Sequence, residues 1–298
     1  MRRLNKVFAF FGTHSKGRAK KVNKKGSVMS STEQSGEAIK AKTPKAAQPP
    51  MTAAEEAWDL VKTVFIAVAI ALVLRIVIFQ PFNIPSGSMK PTLLVGDFLV
   101  VSKPTFGYSK ASLVYPLTRI PAEGRILQFA EPKRGDVLVF KNRKDGNKDY
   151  IKRLIGMPGD TVQMLGGVLH INGKPVQKEL TNANTPDVCG DGRGAPSYRE
   201  TLDTGASYIV QECYGDDGPL DNTSAYVVPA GHYFLMGDNR DQSQDSRVIS
   251  QVGYVRADAV VGKAERLFFS VDGAKSQFWT LWKWPLAVRY GRIFDPVK

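Results

Sequence analysis

Residues 57–79, AWDLVKTVFIAVAIALVLRIVIF, are almost wholly aliphatic or aromatic, and the chain leaves them directly for PFNIPSGSMKPTLLVGD (81–97). About 20 apolar residues span a bilayer as a helix. Asp59, Lys62 and Arg75 interrupt the run only near its ends, where long side chains can reach the headgroups, and Trp58 suits the interface. A buried core helix is the competing reading. A cleaved signal peptide fits poorly, because the run starts too deep in the chain and lacks a proper n-region. A transmembrane helix over 57–79 is therefore expected, and no later run is long and apolar enough to return the chain.

The charge distribution gives this span a direction. The chain carries 41 Lys/Arg against 28 Asp/Glu, a formal charge of +13. Twelve of those bases and only two acids fall in residues 1–50, so +10 belongs to the tail and +3 to everything else. The tail is rich in Lys, Ser, Gly and Ala and lacks the apolar content to order itself. No nucleic-acid partner is expected of the folded part. A basic segment ahead of a span stays in the cytoplasm, which places residues 1–56 inside and everything after 79 outside. The two cysteines, Cys189 and Cys213, show no metal-ligand spacing. They are disulfide candidates if their turn-rich region faces an oxidising compartment.

Beyond residue 92 the chain breaks into short extended runs: DFLVVS, GDVLVFK, DTVQML, VLHING, SYIVQE and HYFLMG, each bounded by Gly, Asp or Pro. Helical periodicity is scarce. The expected class is mainly β, an antiparallel-sheet core over 80–298 preceded by one helix. Residues from about 162 to 229 are denser in turn formers and read as an inserted β subdomain. Near the end, QFWTLWKWPLAVRYGRIF carries Phe278, Trp279, Trp282 and Trp284 with Lys283 and Arg289. It reads either as an interfacial membrane surface or as an aromatic cap on the β core.

Three histidines offer little to a hydrolase. His14 lies in the tail, His170 and His232 sit in strand-like runs without a catalytic signature, and G-x-S-x-G is absent. Lysine is the other way to activate a serine, provided burial drives its pKa far below 10.4. A fall to about 8 needs about 3 kcal/mol of bias against the ammonium. KDYIKRLIGMPGD places Lys152 among Tyr150, Ile151, Leu154 and Ile155. Arg153 points to the other face and keeps its charge. In PSGSM, Pro85 and Pro91 stiffen the chain around Ser86, Gly87 and Ser88, so Ser88 can be presented beside a backbone N–H. A third segment, GDNRDQSQDSR (237–247), fails as a calcium loop because Arg240 occupies a ligand position. It fits a braced polar loop in which Asp245 and Arg247 pair and Ser243 can meet an amine.

The span, PSGSMKPTLLVGDFLVV, GDVLVFK, DYIKRLIGMPGD and GDNRDQSQDSR, in that order, resemble the bacterial type I signal peptidases, the leader peptidase family. The resemblance covers residues 58 to the late 260s. Gln242 departs from it, standing where the family often has Asn. The resemblance implies Ser88 as nucleophile, Lys152 as general base, and Ser86 with the Ser88 N–H as oxyanion hole. It further implies that Ser243 orients Lys152, with Asp245 and Arg247 in support. Shallow pockets for small side chains would be lined by Phe82, Ile84, Pro85, Met89, Leu93, Leu99, Val139, Tyr150 and Ile151. The implied substrates are exported preproteins cut after small residues at the third and first positions before the scissile bond. No metal or organic cofactor is implied, and membrane lipid is the other expected partner. The implied location is a bacterial inner membrane, with the catalytic domain on the periplasmic side. Two rivals are a self-cleaving Ser/Lys protease resembling LexA repressors and a membrane-anchored β adaptor. The first would carry a DNA-binding domain in place of the anchor. The second leaves the lysine in apolar strand unexplained.

Overall fold

A computed structural model of the protein describes residues 52–113, 124–185, 189, 194–272 and 284–298. The basic tail up to residue 51, and Phe278, Trp279, Trp282 and Lys283, lie outside the described residues. Helix α1 (Ala53–Val77) starts earlier and ends earlier than the apolar run alone implies. At its start, Thr52 and Glu55 form a reciprocal capping box that pulls polar residues into the first turn. At its end, Phe79 already pairs with Ser102, so only Ile78 separates helix from strand. Residues 53–75 have a mean hydropathy of 2.1, and none of them is buried within the protein, as suits a membrane anchor.

Apart from a one-turn helix α2 (Trp284–Ala287) and short 3-10 turns, the other regular elements are antiparallel β-strands. In chain order the strands are β1 (Phe79–Asn83), β2 (Asp97–Ser102), β3 (Gly107–Ser109), β4 (Arg125–Gln128), β5 (Val137–Asn142), β6 (Lys148–Gly156), β7 (Thr161–Leu165) and β8 (Val168–Ile171). They continue with β9 (Lys174–Pro175), β10 (Gln177–Thr185), β11 (Ala195–Thr201), β12 (Ser207–Gln211), β13 (Tyr226–Val227), β14 (His232–Met236), β15 (Val255–Arg256) and β16 (Val260–Ser270). The main sheet has the order β1-β2-β16-β5-β6-β14-β15. Between β6 and β14 the chain builds two further sheets, β13-β7-β8-β9 and β10-β11-β12. The link from β8 to β9 is Asn172–Gly173, both at positive φ, the backbone that a two-residue hairpin turn requires.

Three apolar clusters hold the sheets together. One joins Val162, Met164, Leu169, Tyr208 and Val210 to Ile155, Phe234 and Met236, so the extra sheets rest directly on β6 and β14. A second gathers Ile84, Met89, Leu93, Leu99, Val137, Val139 and Val261 under the β1–β2 connection. A third gathers Leu138, Phe140, Leu154, Leu235 and Val260, with Tyr150 packed against it. Arg289, from the aromatic-rich terminal segment, donates to the Val95 carbonyl and pairs with Asp97 and Asp272. Arg292 donates to the Thr92 carbonyl, so this part of the chain braces the β1–β2 connection.

Candidate active site

The three polar motifs meet where β1, β6 and β14 end or pass one another. PSGSM is the connection leaving β1. It is held at its start by backbone bonds between Ile84 and residues Gly96 and Asp97, 3.0 and 2.8 Å. GDNRDQSQDSR follows β14 without a gap, and its Asn239 N–H donates to the Ser88 carbonyl at 3.1 Å. The centre of β6 supplies Lys152, paired in register with Leu138 of β5.

Lys152 Nζ and Ser88 Oγ are hydrogen-bonded at 2.6 Å, and both residues are buried. The second half of β6 is covered on both faces, which takes the amine out of water. That burial lowers the Lys152 pKa from 10.5 to about 8. The carboxylates of Asp245 and Asp238 pull it back up, and Arg247 pushes it further down. The Tyr150 ring lies 5.7 Å from the amine. Ser86 Oγ is 3.4 Å from Ser88 Oγ.

Asp245 is fully buried. Burial alone would raise its carboxyl, but the Arg247 guanidinium outweighs that and holds it below the usual range. Arg247 donates to Asp245 through Nε and Nη2 at 3.0 and 2.9 Å, and the Gly237 N–H adds a third bond at 3.0 Å. Ser243 is buried beside this carboxylate, and no hydrogen bond joins its Oγ to Lys152 among the described residues. It is packed against Gly237 instead: a Cβ on that glycine would stand 2.1 Å from it.

The nine residues expected to line the substrate pockets divide. Phe82, Ile84, Pro85, Val139, Tyr150 and Ile151 face an open cavity of about 540 Å³ together with Ser86, Ser88 and Lys152. Met89, Leu93 and Leu99 do not line it. They are completely buried and support its floor from below as part of the apolar cluster. A larger concavity, about 940 Å³, is lined by Lys133, Arg134, Asp136 and Lys263 and contains neither Ser88 nor Lys152. His170 and His232 bond to nearby backbone carbonyls and line no part of the Ser88 cavity. Cys189 and Cys213 are joined as a disulfide, with a Cα–Cα distance of 5.7 Å.

The partners of two groups at this site, Arg153 and Asn239, are not named by the local sequence. Arg153, next to Lys152 but on the opposite face, forms a buried two-point pair with Asp238 at 2.8 and 2.6 Å and lies 4.1 Å from the Tyr208 ring. Thr92 donates to the same carboxylate. Asn239 holds the carbonyl of Ser88 and, through Nδ2, that of Gly87 at 3.3 Å. The adjacency of Lys152 and Arg153 in an apolar strand was the available signal. A guanidinium forced inward demands a buried carboxylate, although nothing nearby in the chain says which.

A serine hydrogen-bonded to a buried amine thus opens onto a cleft with apolar walls. Residues 57–269 match the family described as signal peptidase, peptidase S26. Signal peptidase I of Rickettsia akari (strain Hartford) is 38% identical over 260 residues, covering 82% of this chain and 92% of that protein. The enzyme of the same name from Rickettsia typhi (strain ATCC VR-144 / Wilmington) is 39% identical over 242 residues, covering 76% and 89%. Among solved structures, a signal peptidase I from Enterococcus faecalis V583 is 25% identical, with a TM-score of 0.27, and the match covers 46% of this chain and 98% of that one. The chain belongs to the signal peptidase family, peptidase S26, and is a serine endopeptidase of signal-peptide removal.

Proposed function

We propose that Ser88 is the nucleophile and Lys152 the general base in cleaving signal peptides from exported preproteins. The observation that carries this reading is the 2.6 Å bond between a buried hydroxyl and a buried amine whose pKa has come down to about 8. Ser88 Oγ attacks the scissile carbonyl carbon as Lys152 Nζ takes its proton. The Ser86 hydroxyl and the Ser88 N–H stabilise the oxyanion. The lysine ammonium then protonates the leaving amine, and the acyl-enzyme forms. Water, deprotonated by the same amine, attacks the ester and frees Ser88. Ile84, Val139 and Ile151 wall the cleft and admit small substrate side chains. The same walls keep water from the amine, so selectivity and the availability of the neutral amine share one cause.

In this reading residues 80–298 form the exterior catalytic domain, with an insertion at about 162–229, on the periplasmic side of the inner membrane. Residues 1–56 form the cytoplasmic tail. The tail's charge and the Cys189–Cys213 disulfide both support that orientation. Holding the enzyme at the surface where signal helices arrive raises its effective concentration toward them.

The test is the pH dependence of kcat/KM on a purified preprotein. The base works only when neutral, so the rate is expected to fall about tenfold per pH unit on the acid side. The midpoint of that limb is expected near 8. A profile flat from about pH 6 to 9 removes Lys152 as the base.

Gly237 gives a second expectation. A Cβ there would lie 2.5 Å from the Ser88 carbonyl oxygen as well as against Ser243. Backbone cannot yield cheaply, so Gly237→Ala displaces the elbow. Misplacing a nucleophile by about 1 Å costs about 100-fold, and kcat should fall by that order while circular dichroism stays unchanged. Wild-type kcat in a folded Gly237→Ala protein contradicts the proposed geometry.

A further inference from the structure

Gln242 departs from the family's frequent Asn, and its longer arm bridges two distant pieces of chain. Its Nε2 donates to the backbone carbonyl of Cys189, and its Oε1 accepts from Asn239 Nδ2 at 3.5 Å. That same Nδ2 donates to the Gly87 carbonyl at 3.3 Å, while the Asn239 N–H holds the Ser88 carbonyl at 3.1 Å. Asn239 therefore fixes both carbonyls flanking the joint where glycine gives the elbow most freedom. The other end of the disulfide reaches the same residue. Cys213 Sγ lies 3.8 Å from Asn239 Oδ1. Two residues before Cys213, Gln211 accepts from the Arg240 N–H and donates to the Asp238 carbonyl, both at 2.9 Å, bracketing Asn239.

We propose that the Cys189–Cys213 disulfide is a positioning element for the nucleophile, acting on the Ser88 elbow through Gln242 and Asn239. The inference rests on the reading of Ser88 as nucleophile. The disulfide holds the Cys189 carbonyl where Gln242 can reach it. Gln242 in turn keeps the Asn239 amide turned toward Gly87. An Asn at 242 lacks one methylene and falls about 1.5 Å short of spanning the two, so the disulfide and Gln242 operate as one device.

The test compares oxidised full-length enzyme with the same enzyme treated with dithiothreitol. The disulfide takes two electrons and two protons to give two thiols, and the dithiol closes to its cyclic disulfide. Reduction is expected to lower kcat on a preprotein about tenfold while KM changes by a smaller factor, because the apolar walls Ile84, Val139 and Ile151 stay in place and only Gln242 at the cleft's edge is released. Gln242→Asn should show the same loss while oxidised and no further loss on reduction, since both break one path. The pair Cys189→Ser with Cys213→Ser should match reduced wild type. If that pair fails to fold, reduced wild type and Gln242→Asn carry the comparison. A kcat indifferent to reduction, or losses from reduction and Gln242→Asn that multiply, overturns the proposal. Ser88→Ala is assayed in parallel. Turnover surviving there defeats the nucleophile assignment, whereas a dead Ser88→Ala enzyme beside a redox-indifferent wild type defeats the positioning role alone.

Discussion

Lys152→Met should abolish preprotein cleavage and yield a more stable protein. Methionine keeps much of the lysine's length and apolar stem but cannot accept a proton. Removing the base from a serine protease costs about 10³-fold or more in kcat. The stability gain follows from the same burial that makes the base work. The amine titrates at 10.5 in the open chain and about 8 in the fold. Between those values the unfolded chain holds a proton that the folded protein has released, so stability rises with pH across that window. Below 8 both states are protonated and the fold bears the whole penalty, about 3 kcal/mol. Methionine removes that burden. At pH 7 the variant's Tm should exceed wild type by roughly 5 °C, and the gap should close as pH climbs toward 10.5. Calorimetry across that range checks the second half and a preprotein assay the first. Retained cleavage, or a Tm difference that ignores pH, contradicts the linkage between buried amine and catalysis.

Asp238→Ala carries the largest expected loss of stability. Asp238 accepts two bonds from Arg153 and one from Thr92, all in the interior. Alanine strands the guanidinium, which retains bonds to the carbonyls of Gly135 and Lys298 and its stack on Tyr208 but has no counter-charge within the pair. Removing one member of a buried pair costs about 3–5 kcal/mol. Urea unfolding should report a loss in that range. Combining Asp238→Leu with Arg153→Met removes both charges and should recover most of the loss, because a buried pair exchanged for apolar side chains is often neutral. A single variant that unfolds within about 1 kcal/mol of wild type excludes a structural debt at this pair.

Lys152 and Ser88 were legible because each sits in an unusual local setting: an ammonium in β-branched strand, a serine between prolines and glycine. The short strands were legible for the same local reason, period-two runs closed by turn formers. The start of α1 was not, because a capping box operates in polar sequence and leaves no apolar mark. Which strand neighbours which was beyond reach, since β16 slots between β2 and β5 from the far end of the chain. The partners of Arg153 and Asn239 depend on that placement. They stand 85 and 151 positions from the residues they hold, Asp238 and Ser88, and no local pattern encodes such a distance. Gly237 lies against Ser243 and the Ser88 carbonyl, a close approach that a lone glycine in a polar run does not announce.

Strand β6 carries its amine and its guanidinium on adjacent residues, one toward the cleft and one toward Asp238. Such an arrangement tolerates conservative exchange but not a change of frame. Inserting or deleting a single residue in the turn at 143–147 would rotate every side chain of the strand to the opposite face. A permanent cation would then occupy the seat of the Lys152 amine beside Ser88, and that amine would be locked in an ion pair. Length, more than composition, is what this hairpin has to keep.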